Sequence, residues 1–208
     1  MPYLTFHITL KEPAMFAALE GEPNSSVSYD FIPGSAIRGL FISAYMRANG
    51  AFDATDNRPQ QLFFSDDILY LNAYPLINGQ RSLPVPMSWQ DDKYPTPTTE
   101  NKILDSVHQK PKQEDKQKDE KKVTFEKAQR LKGFTVLDHT QAKIMTVERV
   151  INVHMARARK TSDEQQVFRY DAIAEGQTFV AVVMCDDQAT ADDLKQLLNE
   201  QDYMTLGG

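Results

Sequence analysis

A mixed α+β domain is predicted by three observations. The chain opens on alternation, with Leu4, Phe6, Ile8 and Leu10 set between Tyr3, Thr5, His7 and Thr9, as in a strand with one buried face. A helix follows in which Ile37, Leu40, Phe41, Ala44 and Tyr45 share one side. Near the end, an apolar strand at 178–185 runs into a second helix whose inner stripe is Leu194, Leu197 and Leu198. The skeleton is strand (3–10), helix (34–48), strand (62–75), a long excursion, strand (178–185) and helix (190–201).

Each element has its local reason. Lys11-Glu12-Pro13 ends the first strand, and 14–29 reads as a linker loop. Pro33-Gly34 marks a turn and Ser35 is the natural N-cap of the first helix. Residues 51–60 are a polar loop; 62–76, rich in aromatic and β-branched residues, reads as a strand with a break at Ser65-Asp66-Asp67. Pro84, Pro86, Pro95 and Pro97 suit an irregular excursion over 77–100. From Gln109 to Lys122 there is no apolar residue, so the run cannot offset its ordering entropy and reads as a mobile loop. Residues 144–155, then 167–173, read as strands separated by a basic loop at 156–162. Thr190-Ala191-Asp192-Asp193 resembles a capping box for the last helix.

The order βαββα is the ferredoxin-like (RRM-like) plan, βαββαβ, without its last strand. The chain is therefore expected to be one domain over 1–208, with an insertion at about 77–143 that contains the mobile loop 109–122. The final strand is expected to come from elsewhere, or the chain to be the N-terminal part of a longer, two-domain protein.

The chain has 208 residues, enough to bury roughly 70% of its unfolded surface without staples. Its longest apolar run, 179–185, is too short to span a bilayer, and the alternating N-terminus is no signal peptide. Cys185 is alone and lies in that run, as a buried thiol does, and four scattered His leave no zinc motif. A cytoplasmic protein without membrane, metal or cofactor is expected.

A formal net charge of -6 argues against a nucleic-acid binder, but it is an average. Residues 161–208 hold two bases against ten acids, a net of -8; the other 160 residues hold 21 bases and 19 acids, a net of +2. Within these, 143–160 carries five bases and the single acid Glu148. A basic face able to meet phosphate can coexist with an acidic one that keeps the molecule soluble or meets a basic partner.

Two strings carry chemistry. Ile32-Pro33-Gly34-Ser35-Ala36-Ile37-Arg38-Gly39 leads a glycine turn into a helix N-terminus, where free amides, the dipole, the Ser35 hydroxyl and Arg38 together suit a phosphate backbone. The string lacks the Lys-Ser/Thr ending of a nucleotide-binding P-loop, and a packed turn with a solvated Arg satisfies it equally. His154-Met155-Ala156-Arg157-Ala158-Arg159-Lys160 places three cations in four positions of a loop beside a sheet, which suits RNA phosphates, although solvated charged turns are common.

The first string, together with the second and its continuation from Phe168-Arg169-Tyr170 to Gly176-Gln177-Thr178-Phe179, resembles the RAMP superfamily of CRISPR effector proteins. Leu83-Pro84-Val85-Pro86-Met87-Ser88 through Lys93 is similar to the segment that lies between them in that superfamily, and Leu206-Gly207-Gly208 to the start of its glycine-rich loop. Within it, the sequence most resembles the type III subunit, III-D-like, that caps the 5′ end of the crRNA. The resemblance implies a subunit of an antiviral ribonucleoprotein that holds the repeat-derived 5′ tag. Its implied partners are the crRNA, the large polymerase/cyclase-type subunit and the backbone RAMP subunits. Carried over, Gly34, Ser35 and Arg38 lie at the RNA backbone, and His154, Arg157, Arg159 and Lys160 line the same face or the adjacent hairpin. Arg149 and Lys132 are further candidates.

Two other readings stand beside this one. Backbone RAMP subunits cut target RNA with an Asp in the loop before the glycine-turn helix; here that linker holds Glu20, Glu22 and Asp30, and none fits the family's pattern. Processing endoribonucleases of the superfamily use a His as general acid or base, a part open to His154 beside its cations. The third reading is a protein–protein scaffold whose acidic C-terminal quarter binds a basic partner without RNA contact.

Overall fold

A computed structural model describes residues 1–17, 25–53, 55–97, 100, 102–108, 127–139, 141–157 and 165–199; at 25, 108, 154–157 and 165–167 the backbone alone is described. The protein is mixed α+β and mostly strands. In chain order come β1 (Tyr3–Thr9), β2 (Ser25–Val27), α1 (Gly34–Asn49), and a single turn α2 (Asn57–Pro59) that continues as a π-helical turn (Gln60–Phe64). Then follow β3 (Leu69–Tyr70), β4 (Tyr74–Ile77), β5 (Gln80–Arg81), β6 (Leu83–Pro84), β7 (Trp89–Asp92) and β8 (Leu104–Asp105). The remaining elements are β9 (Ala128–Arg130), β10 (Phe134–Asp138), β11 (Gln141–Met145), β12 (Arg149–Arg157), β13 (Gln165–Ile173), β14 (Thr178–Met184) and α3 (Gln188–Asn199). They form two compact units, one of Met1–Ser82 with Val147–Gly208 and one of Leu83–Thr146.

The first unit is built on an antiparallel sheet in the order β1-β14-β4-β5, with β3 also paired to β14. The alternation of β1 decides its two faces. Leu4, Phe6 and Ile8 pair with Val183, Ala181 and Phe179 and turn inward, while Tyr3, Thr5, His7 and Thr9 are exposed. Onto the inner face α1 lays Ile37, Leu40, Phe41 and Ala44, and α3 lays Ala191, Leu194 and Leu197. The Phe6 ring meets Phe41 edge-on, with centroids 5.7 Å apart. Cys185 is buried in this core, and burial pushes its thiol pKa up. A second sheet of the same unit pairs β12 and β13 as a long antiparallel hairpin and sets β2 parallel to β13.

The second unit holds two small antiparallel sheets, β11-β10-β6 and β8-β7-β9. Val85, Phe134 and Val136 form its buried apolar centre. Gly133, at φ 100, turns the chain into β10.

Several boundaries differ from the sequence reading. Within 62–75, residues up to Phe64 form the π-helical turn instead of a strand, because Phe63 packs edge-on against Tyr45 at 5.6 Å and lies against Phe52. The excursion over 77–100 contains the short strands β5, β6 and β7, and the linker 14–29 contains β2. The basic loop expected at 156–162 gives up Ala156 and Arg157 to β12; 158–164 lie outside the described residues, as do the lysine-rich run 109–122 and residues 200–208, with Leu206-Gly207-Gly208.

Both helix caps are also displaced. Pro33, at φ -61 and ψ 146, holds the N-cap position of α1, so Ser35 is inside the helix. The last helix starts at Gln188, and Asp187 caps it by accepting a 2.7 Å hydrogen bond from the Thr190 amide. Hydrogen bonding from the Thr190 backbone and side chain holds the Asp187 carboxyl below the usual aspartate range. A depressed folded-state pKa gives stability that is present above the unfolded-state value and lost as pH falls through the folded one. Asp187→Asn keeps the cap and removes this titration, so its thermal stability is expected to fall less than wild type between neutral pH and about pH 3.

Candidate nucleic-acid interface

The first turn of α1 is seated on the strand segment that follows β3. A Cβ on Gly34 would lie 2.0 Å from the Tyr70 carbonyl oxygen, so no side chain fits there. The Gly34 amide donates to Asn72 Oδ1 at 2.9 Å, and the Arg81 guanidinium donates to the Asn72 carbonyl at 2.8 Å. Ile32 pairs with Ala73 on both sides of the bridge, at 3.1 and 2.8 Å. The Ala36 and Ile37 amides turn back to the Pro33 carbonyl, which leaves the Ser35 amide without a partner among the described residues. Ser35 and Arg38 are exposed, and no carboxylate is paired with Arg38 among the described residues.

Beside this turn lies an open cleft of about 830 Å³. One wall is α1 itself, where Ser35, Ala36, Gly39 and Ser43 present almost no side chain; Phe16, Tyr29 and Phe31 form the other, and Pro33 and Asn72 also line it. Tyr29 and Phe31 stack with centroids 5.0 Å apart; Phe31 meets Tyr74 edge-on at 5.9 Å, and Arg81 lies 4.5 Å over the Tyr74 ring. Burial lowers the Arg81 pKa, partly offset by Tyr74.

A buried serine sets the aromatic wall. The Ser28 hydroxyl accepts from the Phe16 amide and donates to the Tyr29 carbonyl, both at 2.9 Å, and the Tyr29 amide donates to the Phe16 carbonyl at 2.9 Å. The Ser28 amide is tied to Asp171 of β13. Arg149, at the start of β12, completes the clamp. Its Nε donates to Asp171 at 2.7 Å, another nitrogen donates to the Ser28 carbonyl at 2.9 Å, and a third is bonded to Asp30. Burial works against the Arg149 charge, but the hydrogen bond it donates to Asp171 and the charges of Asp30 and Asp171 more than offset it and raise its pKa.

The sequence-predicted residues therefore separate. Gly34, Ser35 and Arg38 come together on one turn. Arg149 directs its guanidinium into the protein, where its side chain is 23% exposed, and acts as a structural clamp. Asp30, excluded as a cutting residue by the sequence pattern, is that clamp's partner. His154 and Arg157 lie on β12 by their backbone, Arg159 and Lys160 fall outside the described residues, and Lys132 is an exposed residue of the second unit. His7 is exposed on the outer face of β1. Sequence reasoning missed Tyr29, Phe31 and Asn72, and gave Gly39 no role of its own within the glycine-turn string; the available signal was an Asn interrupting the apolar run from Ile68 to Tyr74. No group of three or more His, Cys, Asp or Glu is arranged as a metal site among the described residues, and no described helix is long and apolar enough to cross a membrane.

No family model matches the sequence, and no curated protein matches it. Among solved structures, the fold is similar to a chain of the type III-B Cmr-beta complex bound to cognate target RNA, at 13% identity and a TM-score of 0.46, covering 94% of this chain and 50% of that one. It is similar to a chain of the apo Cmr-beta complex at 9% identity and a TM-score of 0.48, covering 99% and 92% of the two chains. A chain of a type IV-B CRISPR complex is similar at 9% identity and a TM-score of 0.42, covering 96% of this chain and 80% of that one. The chain thus spans half the length of the first of these.

Two substitutions test the seating of the site. Gly34→Ala keeps a helical backbone but drives a methyl into the Tyr70 carbonyl, and is expected to cost about 1–3 kcal/mol in chemical denaturation. Arg149→Met strands Asp171 and the Ser28 carbonyl and is expected to cost about 2 kcal/mol. Combined with Asp171→Asn it should cost less than the sum of the two single changes, as a double-mutant cycle reads.

Proposed function

We propose that this chain is a non-catalytic RNA-binding subunit of a type III CRISPR ribonucleoprotein. It holds the repeat-derived 5′ tag of the crRNA on a ferredoxin-like RAMP domain and contacts the large and backbone subunits. The observation that carries the reading is the first turn of α1. The string that resembles the RAMP motif is folded so that Gly34 meets a carbonyl only glycine tolerates, while Ser35 and Arg38 stay exposed beside an amide that has no partner among the described residues. A helix N-terminus with an unpaired cation one turn inside is suited to phosphate.

Charge supports the same reading. α1 carries Arg38 near its start and Arg47 in its last turn and no acid along its 16 residues, so its own side chains set no negative charge beside the first turn. His154, Arg157, Arg159 and Lys160 are proposed as further RNA contacts on the charge of their sequence, and Lys132 as a candidate on the second unit. Arg149 serves by holding Asp30 and Ser28 in place. Of the acids in the linker before α1, Asp30 is described, and it is engaged by Arg149.

Binding of single-stranded tag RNA by the full chain, followed across a salt series, tests the proposal. Wild type is expected to bind with an affinity that falls as salt rises. Arg38→Ala should weaken binding several-fold and lower the slope of log K on log salt by about 0.7, one phosphate contact on a single strand. RNA binding that is absent or indifferent to salt would leave the scaffold reading in its place. Cleavage of repeat RNA that vanishes in His154→Ala would make the chain a nuclease.

A further inference from the structure

Gly39 is the residue of α1 that the fold does not explain. Glycine inside a helix is destabilising relative to alanine, because it loses more backbone freedom on folding. Gly34 in the same helix has a steric reason: its Cβ would strike the Tyr70 carbonyl. Gly39 has none among the described residues, since a Cβ there meets none of their atoms within 4 Å. Its φ is not in the left-handed region either; among the described residues the positive-φ glycines are Gly50, Gly79, Gly133 and Gly176. What Gly39 does is line the cleft, one helical turn beyond Ser35 and one before Ser43.

The opposite wall is aromatic, from the stacked pair Tyr29 and Phe31. A cleft bounded by a bare helix face on one side and ring edges or faces on the other fits a flat, rigid group. The polar groups at its margin are of the kind that read such a group's edge. The Ser35 and Ser43 hydroxyls line the cleft and have no partner among the described residues. Asn72 spends its oxygen on the Gly34 amide, which leaves its NH₂ as a donor. The unpaired Ser35 amide and the exposed Arg38 stand at the same end of the helix, where a phosphate attached to that group would lie.

We infer that this cleft takes one unpaired nucleobase of the bound RNA, stacked on the Tyr29/Phe31 wall and passing over Gly39. The inference rests on the RNA-binding reading above and assigns that reading a specific base site. Stacking on an aromatic tolerates any base, so the hydroxyls and the Asn72 NH₂ supply whatever base preference the cleft has.

The experiment places 2-aminopurine at one position at a time along the tag RNA and follows its emission as the full chain saturates each oligonucleotide. One position is expected to lose emission on wild type by stacking. Gly39→Leu should restore emission at that position and weaken binding about tenfold, the loss of one stacked base. It should not lower the thermal midpoint, because the added side chain replaces a helix glycine and meets no protein atom at its Cβ. Phe31→Leu gives an independent reading of the wall: emission should rise at the same position. Arg38→Ala should weaken binding and keep the quenching at saturation, which separates phosphate from base. If RNA saturates wild type and Gly39→Leu with equal affinity and equal emission at every position, the cleft takes no base, and the RNA-binding reading survives. If wild type binds no RNA, both fall together.

Discussion

The approach of α1 to the carbonyl of Tyr70 is the constraint on which the rest of the site depends. A helix can meet a strand backbone this closely only where a residue has no side chain, and Gly34 provides that. The contact fixes where the helix begins. It brings the Gly34 amide to Asn72, which caps the helix from another element, so neither Ser35 nor any other residue of the helix has to. Ser35 is thereby released to the surface together with its amide. The same seating orients Ile37, Leu40, Phe41 and Ala44 onto the sheet and leaves Arg38 outside.

A second constraint is electrostatic. Arg149 gathers Asp30, Asp171 and the Ser28 carbonyl into one cluster and so joins the β12–β13 hairpin to the segment that enters α1. Ser28 passes this order to Phe16 and Tyr29 through its hydroxyl. The aromatic wall of the cleft is therefore held by hydrogen bonds as much as by apolar packing. Because Asp171 is only 14% exposed, its charge is compensated inside the cluster and contributes little to the outer field. The separation of roles among the cations follows: Arg149 is consumed within the fold, while Arg38 remains free of carboxylates among the described residues.

Much of the fold was legible in the sequence where side-chain periodicity decides burial. The alternation of β1 and the apolar stripe of α1 each describe a single face, and the observed faces follow them, with Tyr45 only half-buried at the end of the α1 stripe. Periodicity failed at 62–64, where Leu62 and Phe63 are both buried in succession. Consecutive buried apolar residues look alike in a strand and in a tight helical turn, and only the Tyr45 and Phe52 rings that receive Phe63 decide between them. The caps failed for a related reason. Ser35 and Thr190 have the right chemistry, but which residue enters the helix first is set by Pro33 and Asn72 in one case and by Asp187 in the other.

The sequence by itself determined the α+β class, the principal strands and helices of the first unit and the glycine turn with Ser35 and Arg38, because these depend on local pattern and on residue chemistry. Tertiary structure alone decided which cations are spent and which are free, since Arg149 and Arg38 are indistinguishable as letters and differ only in the carboxylates folded against one of them. It also decided that two glycines five residues apart in one helix do different things. Gly34 is required by a backbone oxygen 36 positions further along the chain, and Gly39 faces an open cleft. Steric space of that kind is created by long-range packing, and no local reading of the chain contains it.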